Sequence, residues 1–552
     1  MSSNQPPATE ILDSVVIGAG FAGLYMLYRL RALGFSVRGI EAGDDVGGTW
    51  YWNRYPGARC DVESRQYSYS FSEELQQDWR WPDKYAVQPD ILNYINHVAD
   101  RFDLRRDISF NMRVTSARFD DATALWTVET DAGQTFRARF VVMAAGNLTL
   151  PSVPPFPGLE NFRGQWFHAA RWDDSADFRG KRVALIGTGA TGVQLVPKIA
   201  AQAEHLHVMQ RTPNFSVPAR NGPVSDDADL AYKAEYPAKR QQALSTSFGM
   251  SGIDLPACSA MDVSEEERDR LYEKRWQEGG SINFLSTFND LLINEASNET
   301  AAEFVRRKIR ATVKDPDVAK LLCPVDHPIG SKRLCVDTDY YETYNRSNVT
   351  LVDVRSDPIE TITPDGIKTL HAHYAVDAIV FATGFDAITG ALLSIDVTGR
   401  GGHTLRRKWA EGPATYLGLM TAGFPNMFIV TGPGSPSVKS NMVQSIEQHV
   451  DMIAQSMDYM RSNGFTTMEA DVRAEQAWVA HVNEVADRTL YTHADSWYLG
   501  SNIPGKPRVF MPYVGGVPAY RAKCDEVVES GYAGFSMDVD QPADDLTVAT
   551  NN

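Results

Sequence analysis

The chain has 552 residues, 43% hydrophobic and 22% charged, and a formal net charge of −17 from 53 basic and 70 acidic side chains. That length exceeds what one core supports, so two or more domains are expected, and the composition excludes a disordered chain, a collagen-like fibre and a small disulfide scaffold. The acidic balance argues against general binding of nucleic acid or anionic membranes, so an anionic ligand must be met by a local basic cluster.

Residues 1–10 are polar and lack the basic-then-apolar order of a signal peptide. Residues 11–17 read as a buried strand. Gly18-Ala19-Gly20-Phe21-Ala22-Gly23 follows, then a helical pattern to Leu33, a stop at Gly34 and a second strand over 35–41 that ends in Glu41. Strand, glycine turn, helix and strand ending in an acid make a dinucleotide-binding unit. Strand patterns recur at 109–119, 125–130 and 135–144, and the proline-rich stretch 151–158 reads as a linker. A second copy then begins, with a strand at 181–186, Gly187-Thr188-Gly189-Ala190-Thr191-Gly192, a helix to about Ala201 and a strand at 205–210. Residues 226–325 are charged, periodic and helical, as at 265–278 and 298–313. Strands return at 349–354 and 377–381, helices at 440–463 and 471–488. From about 538 the chain is small, polar and acidic and is expected to fray. No apolar run reaches the roughly 18 residues of a membrane span.

These elements predict an α/β chain with two interleaved Rossmann-like dinucleotide-binding domains and a helical insertion. The first domain takes 1–150 and 382–540, the second 151–225 and 326–381, the insertion 226–325, and 541–552 is a flexible tail. The first domain must resume near Ala382, since the C-terminal third would otherwise have no core to join.

Each glycine turn lets backbone approach a pyrophosphate, which the amides and dipole of the following helix hold. Glu41 lies 23 positions after Gly18. A carboxylate there accepts ribose hydroxyls and repels a 2′-phosphate. Arg211, 24 positions after Gly187, takes the corresponding place in the second copy, between Gln210 and Thr212 and with no acid beside it. An arginine there can pair with a 2′-phosphate; the alternative is a solvated strand-end arginine. One cofactor without that phosphate and one with it are expected, and FAD with NADPH is the obvious pair. A flavin with NADPH leaves open a disulfide reductase, an electron-transfer reductase and a monooxygenase. The first needs a redox cysteine pair soon after the first unit, where only Cys60 lies. The five cysteines are scattered, odd in number and without a CxxC, so neither a disulfide framework nor a zinc site is expected, and a reducing cytoplasm fits.

Two longer motifs decide. Phe162-Arg163-Gly164-Gln165-Trp166-Phe167-His168-Ala169-Ala170-Arg171-Trp172 matches FxGxxxHxxxW, and Gly47-Gly48-Thr49-Trp50 through Tyr55-Pro56-Gly57-Ala58-Arg59-Cys60-Asp61 matches GGxWxxxxYPGxxxD. Both resemble the fingerprints of the type I Baeyer–Villiger monooxygenases, flavoproteins that turn ketones into esters or lactones. The resemblance spans nearly the whole chain and includes Gly330-Ser331-Lys332-Arg333, Ala382-Thr383-Gly384-Phe385-Asp386 and Trp497-Tyr498 through Asn502-Ile503-Pro504-Gly505-Lys506-Pro507-Arg508. Gly432-Pro433-Gly434-Ser435-Pro436-Ser437 resembles a loop of the phenylacetone and steroid monooxygenase branch, with Lys439 where an apolar residue is expected.

The resemblance implies NADPH- and O2-dependent oxidation of aryl, cyclic or bulky ketones through a flavin C4a-peroxide, with sulfoxidation as a further activity. It implies a monomer with no separate reductase, membrane, nucleic acid or metal. The related N- and S-oxygenating flavin monooxygenases are the alternative, and they usually carry Tyr or Phe at the Trp172 position. By resemblance Arg333 is the fixed cation that keeps the peroxide anionic, and Asp61 positions it. Their alternatives are a surface arginine and a helix cap before Val62-Glu63-Ser64. Lys332 matches a second 2′-phosphate contact, or is a solvated lysine. FAD is expected at Gly18, Gly20, Phe21, Ala22, Gly23, Glu41, Thr49, Trp50, Asp61, Tyr67, Val114 and Met442. NADP is expected at Arg59, Gly187, Thr188, Gly189, Thr191, Gly192, Gln194, Arg211, Thr212, Lys332, Arg333 and Trp497, and substrate at Ser437, Val438 and Met442. His168 reads as a hydrogen-bonding tie between domains rather than an acid or base. Trp497 either closes over nicotinamide and substrate or simply packs.

Overall fold

The computed structural model describes residues 10–253 and 257–539. The tail read at 541–552 lies outside them, as does all but Glu10 of the polar start.

Val15, Val16 and Ile17 form an unbroken apolar run, and all three are buried. Such a run suits the centre of a sheet covered on both faces. Ile11–Ile17 pairs in parallel with Val37–Ile40 on one side and Thr135–Met143 on the other. Ile108–Ser109 extends the first side. On the other, Val114–Asp120, Leu125–Thr130 and Thr135–Met143 form an antiparallel meander. Two strands arrive from the far end of the chain: Asp396–Thr398 joins Val114–Asp120, and Met427–Ile429 joins Thr135–Met143. The single strand read at 109–119 is therefore two. Asn111, at φ 55°, turns the chain between them, a conformation asparagine tolerates better than most residues. The helix Phe21–Ala32 is buried nearly all round because the long helix Met442–Asn463 packs over it.

The second sheet has five parallel strands in the order Val349–Asp353, His205–Gln210, Arg182–Ile186, Ala378–Phe381 and Gln165–His168. Helices cover one face: Ala190–Ala200 and, from residues 226–325, Glu265–Glu278, Ser281–Leu285, Glu295–Thr312 and Pro316–Leu322, whereas Asp226–Ala234 and Tyr236–Leu244 bond to residues 65–77 of the first unit. This helical segment shares its core with the sheet, since Tyr272, Phe284 and Phe304 cluster with Val183, Leu185 and Val208. The other face is covered by a three-stranded antiparallel sheet, Ile359–Thr363, Gly366–Thr369 and His373–Ala375, which packs Ile362 and Ile367 on Ala184 and Met209. Its strands are too short to show a period, and none was read from the sequence. The helix Gln88–Arg101 was also not read, although its buried Ile91, Tyr94, Ile95 and Val98 have i, i+3, i+4, i+7 spacing.

A short parallel pair, Ser216–Pro218 with Cys335–Asp337, brackets the helical segment. Asp337 ends it, accepting a hydrogen bond from Ser216 Oγ at 2.5 Å. Burial pushes its pKa up to about 7, only partly opposed by that hydrogen bond. The unfolded value is about 3.9, so the folded chain holds this proton longer and stability falls as pH rises from about 4 through 7. Asp337→Asn is therefore expected to raise Tm more at about pH 8 than at about pH 5, as read by thermal melts at both.

Candidate active site

Both glycine turns open onto one continuous cavity of about 940 Å³. The repeat in sequence is a repeat in geometry. Gly18 and Gly187 have φ of 107° and 109°, and a Cβ on either would sit 2.5 Å from a carbonyl oxygen of the neighbouring strand end, Ala144 and Ala382 respectively. Gly23 and Gly192 are not on the cavity wall. A Cβ there would lie 1.9 and 2.2 Å from the carbonyl oxygens of Gly18 and Gly187, so these glycines let each helix close on its own turn. The helices Phe21–Ala32 and Ala190–Ala200 begin at Gly20 and Gly189 with no side-chain cap and no acid in the first turn. Their first amides are donors suited to an anion. A Cβ on Gly189 would meet nothing within 4 Å, so that turn faces open space.

Glu41 follows the strand Val37–Ile40 and is 6% exposed. Its two oxygens accept from the amides of Gly43 and Ala19, each at 2.8 Å, which fixes the carboxylate at the cavity wall. Thr49, Trp50, Tyr67, Val114 and Met442 line the same wall, and Trp50 Nε1 donates to the Tyr67 hydroxyl at 3.2 Å.

On the second unit, Arg211, Thr212, Thr188 and Thr191 face the cavity. Arg211 is exposed and has no ion pair among the described residues. Lys332 is not on the wall. It is half-buried, also without an ion pair among the described residues. Its pKa is lowered by burial, and the charges of Arg211 and Arg355 add to the lowering against Asp326 and Asp495. Two cations thus lie within electrostatic reach of each other with no carboxylate paired to either.

The segment 55–61 links the two units. The Tyr55 hydroxyl donates to Gln194 Oε1 at 2.8 Å, and Gln194 Nε2 donates to the Arg59 carbonyl at 3.0 Å. Gly57, at φ 86°, lets this loop lie against the Ala190–Ala200 helix, where a Cβ would come 2.9 Å from the Gln194 carbonyl oxygen. The loop ends at Asp61. No helix follows it, so the cap alternative falls. Instead Arg333 Nε donates to Asp61 Oδ2 at 2.8 Å. The Asp61 side chain is 9% exposed and that of Arg333 35%. Among the described residues the two terminal nitrogens of Arg333 make no hydrogen bond, and the side chain lines the cavity. Burial, the largest single effect, would lower the Arg333 pKa, but the charge and hydrogen bond of Asp61 together with Tyr498 and Cys60 outweigh it, and the net shift is upward. The surface-arginine alternative therefore falls too.

Lys439 lines the cavity beside this pair. Its Nζ lies 3.6 Å from the ring centre of Tyr491 and 3.7 Å from that of Tyr498. Burial, with the charge of Arg333, lowers its pKa well below the usual lysine range. Tyr498 belongs to a segment that resembles the family, whereas nothing in the sequence pointed to Tyr491. Trp497 also lines the cavity and packs against Tyr498, the rings tilted by 46° with centres 4.2 Å apart.

Ser437 departs from the expected substrate contact. Its φ of 44° turns the side chain inward, where it is 1% exposed and its hydroxyl accepts from Asn147 Nδ2 at 2.7 Å. Val438 and Met442 do line the cavity. His168 lies off the wall, with Nδ1 accepting from the Ala170 amide at 3.1 Å. Burial lowers its pKa to about 4, against the raising effect of the Gly384 and Ser152 backbone, so it is neutral near pH 7. Trp172 packs between Phe167 and Phe178.

Comparison with known proteins agrees with this architecture. A model of the flavin-binding monooxygenase-like family matches residues 13–224. A Baeyer–Villiger monooxygenase of Pseudooceanicola batsensis is 44% identical over 530 residues, covering 95% of this chain and 96% of that protein. A structure of oxidized steroid monooxygenase bound to NADP superposes with a TM-score of 0.91 at 52% identity, covering 96% of this chain and 99% of that one. An OTEMO crystal structure in complex with FAD and NADP gives a TM-score of 0.93 at 42% identity, over 96% and 100% of the two chains. With such identity along nearly the full length of each partner, the chain belongs to the Baeyer–Villiger monooxygenases of the flavin-binding monooxygenase-like family.

Proposed function

We propose that the protein is an NADPH- and O2-dependent Baeyer–Villiger monooxygenase that converts ketones to esters or lactones. The observation that carries this reading is Arg333, fastened through Nε to buried Asp61 while its terminal nitrogens stay unbonded at the wall of a cavity shared by both glycine turns. FAD, reduced by NADPH, supplies the activation of O2 and the transfer of one oxygen atom to the ketone.

The chain's own residues fit both cofactors. The uncapped N-terminus at Gly20 and the fixed Glu41 carboxylate suit a pyrophosphate and a ribose with free hydroxyls. The open face at Gly189 suits a second pyrophosphate, and the unpaired Arg211 with Lys332 suits a 2′-phosphate. Arg333 presents its guanidinium fork toward the cavity and stays protonated over the working range. Asp61 sets the direction of that fork. Trp50, Tyr67, Val438 and Met442 supply apolar wall, which keeps water from the reacting ketone. This division corresponds to an FAD domain of 1–150 and 382–540 and an NADP domain of 151–225 and 326–381.

The N-oxygenating alternative is supported by a relative, a phenazine N-monooxygenase of Lysobacter antibioticus, 42% identical over 534 residues, whereas Arg333 and Trp172 favour ketone oxidation. All five cysteines are free, in keeping with a cytoplasmic setting. Among the described residues no helix is long and apolar enough to cross a membrane. The purified protein is expected to be yellow, and a ketone panel scored by product mass should show one added oxygen with matching NADPH consumption. A preparation that stays colourless with added FAD, or NADPH use that ignores every ketone, overturns the reading.

A further inference from the structure

Among the cations in and beside the cavity, which also include Arg59, Arg113 and Arg171, two groups stand out. The charge of Arg211 acts on Lys332, and the charge of Arg333 acts on Lys439. The first group is accounted for by a cofactor phosphate. In the second, Arg333 has Asp61, but Lys439 has no carboxylate and no hydrogen-bond acceptor for Nζ among the described residues. Among those residues its Nζ touches only the faces of Tyr491 and Tyr498, and because burial and the Arg333 charge disfavour the ammonium, an anion brought beside it would restore the charged form. The surrounding wall also carries Leu285, Ile282 and Met442. An excess cation beside apolar surface is costly until an anion meets it.

We infer that Lys439 anchors the substrate, and that the preferred ketones carry a carboxylate which its ammonium receives while the carbonyl reaches Arg333. This inference rests on the ketone-oxidising reading above and narrows it to oxo acids. Lys439 is a binding residue in this account, and the apolar wall takes up the hydrocarbon between carboxylate and carbonyl. A neutral ketone leaves the ammonium unmatched.

The test is a homologous series of methyl-ketone carboxylates and their methyl esters, turned over by the wild type and by Lys439→Met, which keeps the side-chain length and removes the charge. A charge-assisted hydrogen bond corresponds to a preference of about ten- to hundredfold. At one chain length the wild type should show such a ratio of kcat/KM for carboxylate over ester, and Lys439→Met should bring it to about one or below. Lys439→Arg should retain most of it. A ratio near one for the wild type at every length, or an equal ratio in Lys439→Met, overturns the inference. If neither series is oxygenated, the functional reading fails, and titration calorimetry of the same carboxylates against FAD- and NADP+-loaded protein still decides the lysine's role. Binding at least about tenfold weaker in Lys439→Met supports it, and equal affinity overturns it.

Discussion

Arg333→Ala is expected to retain reduction of bound flavin by NADPH and to lose ester formation by at least about a hundredfold. The two half-reactions separate because hydride delivery needs the nicotinamide in place, whereas oxygen transfer needs a negative charge stabilised beside the ketone. A fixed guanidinium meets that need without reorganising, and alanine leaves only solvent. Stopped-flow absorbance at the flavin band, with product mass measured in parallel, distinguishes the steps. A normal ester yield from Arg333→Ala removes the residue from the mechanism. Asp61→Asn should give a milder form of the same defect. It keeps the side-chain shape but strips the charge that fixes the guanidinium, and breaking this partly buried pair costs less than the roughly 3–5 kcal/mol of a fully buried one. Some of that cost should appear as a lower Tm, so the activity ratio of the two half-reactions is the informative reading.

The double variant Arg211→Ala with Lys332→Ala should raise KM for NADPH by about a hundredfold or more while moving KM for NADH little. Each charge-assisted contact with a 2′-phosphate is worth about 1.5–3 kcal/mol, or roughly tenfold or more in affinity. Neither side chain is in an ion pair among the described residues, and each repels the other. The fold should therefore not suffer, and the Tm of the double variant should equal or exceed that of the wild type. Steady-state kinetics with both nucleotides decide the matter. Equal changes in both constants refute the phosphate assignment.

What could be read from the sequence was what local spacing encodes. Gly18 to Glu41 and Gly187 to Arg211 are each one strand–turn–helix–strand unit, so the spacing of glycines and the charge at its end follow from backbone geometry. The pairing of Asp61 with Arg333 spans 272 positions, and no periodicity connects them. Family resemblance alone suggested it. Ser437 misled because a loop motif does not reveal a backbone at φ 44° that buries the side chain. Tyr491 and Tyr498 lie on opposite sides of a short irregular segment, and nothing in their spacing shows that both rings meet Lys439. The strands of the small antiparallel sheet have three to five residues each, too few for an alternation to stand out.

The strand Met427–Ile429 completes a sheet begun at Ile11–Ile17, with Thr135–Met143 between them. A nascent polypeptide emerging from the ribosome thus cannot close its opening sheet until most of the message is translated. The intervening five-stranded layer, whose pieces are complete by Phe381, can consolidate first. Until then the apolar edge at Val141–Met143 waits unpaired, exposed to chaperones or to aggregation. Truncation before Met427 should accordingly yield inclusion bodies rather than a smaller working enzyme.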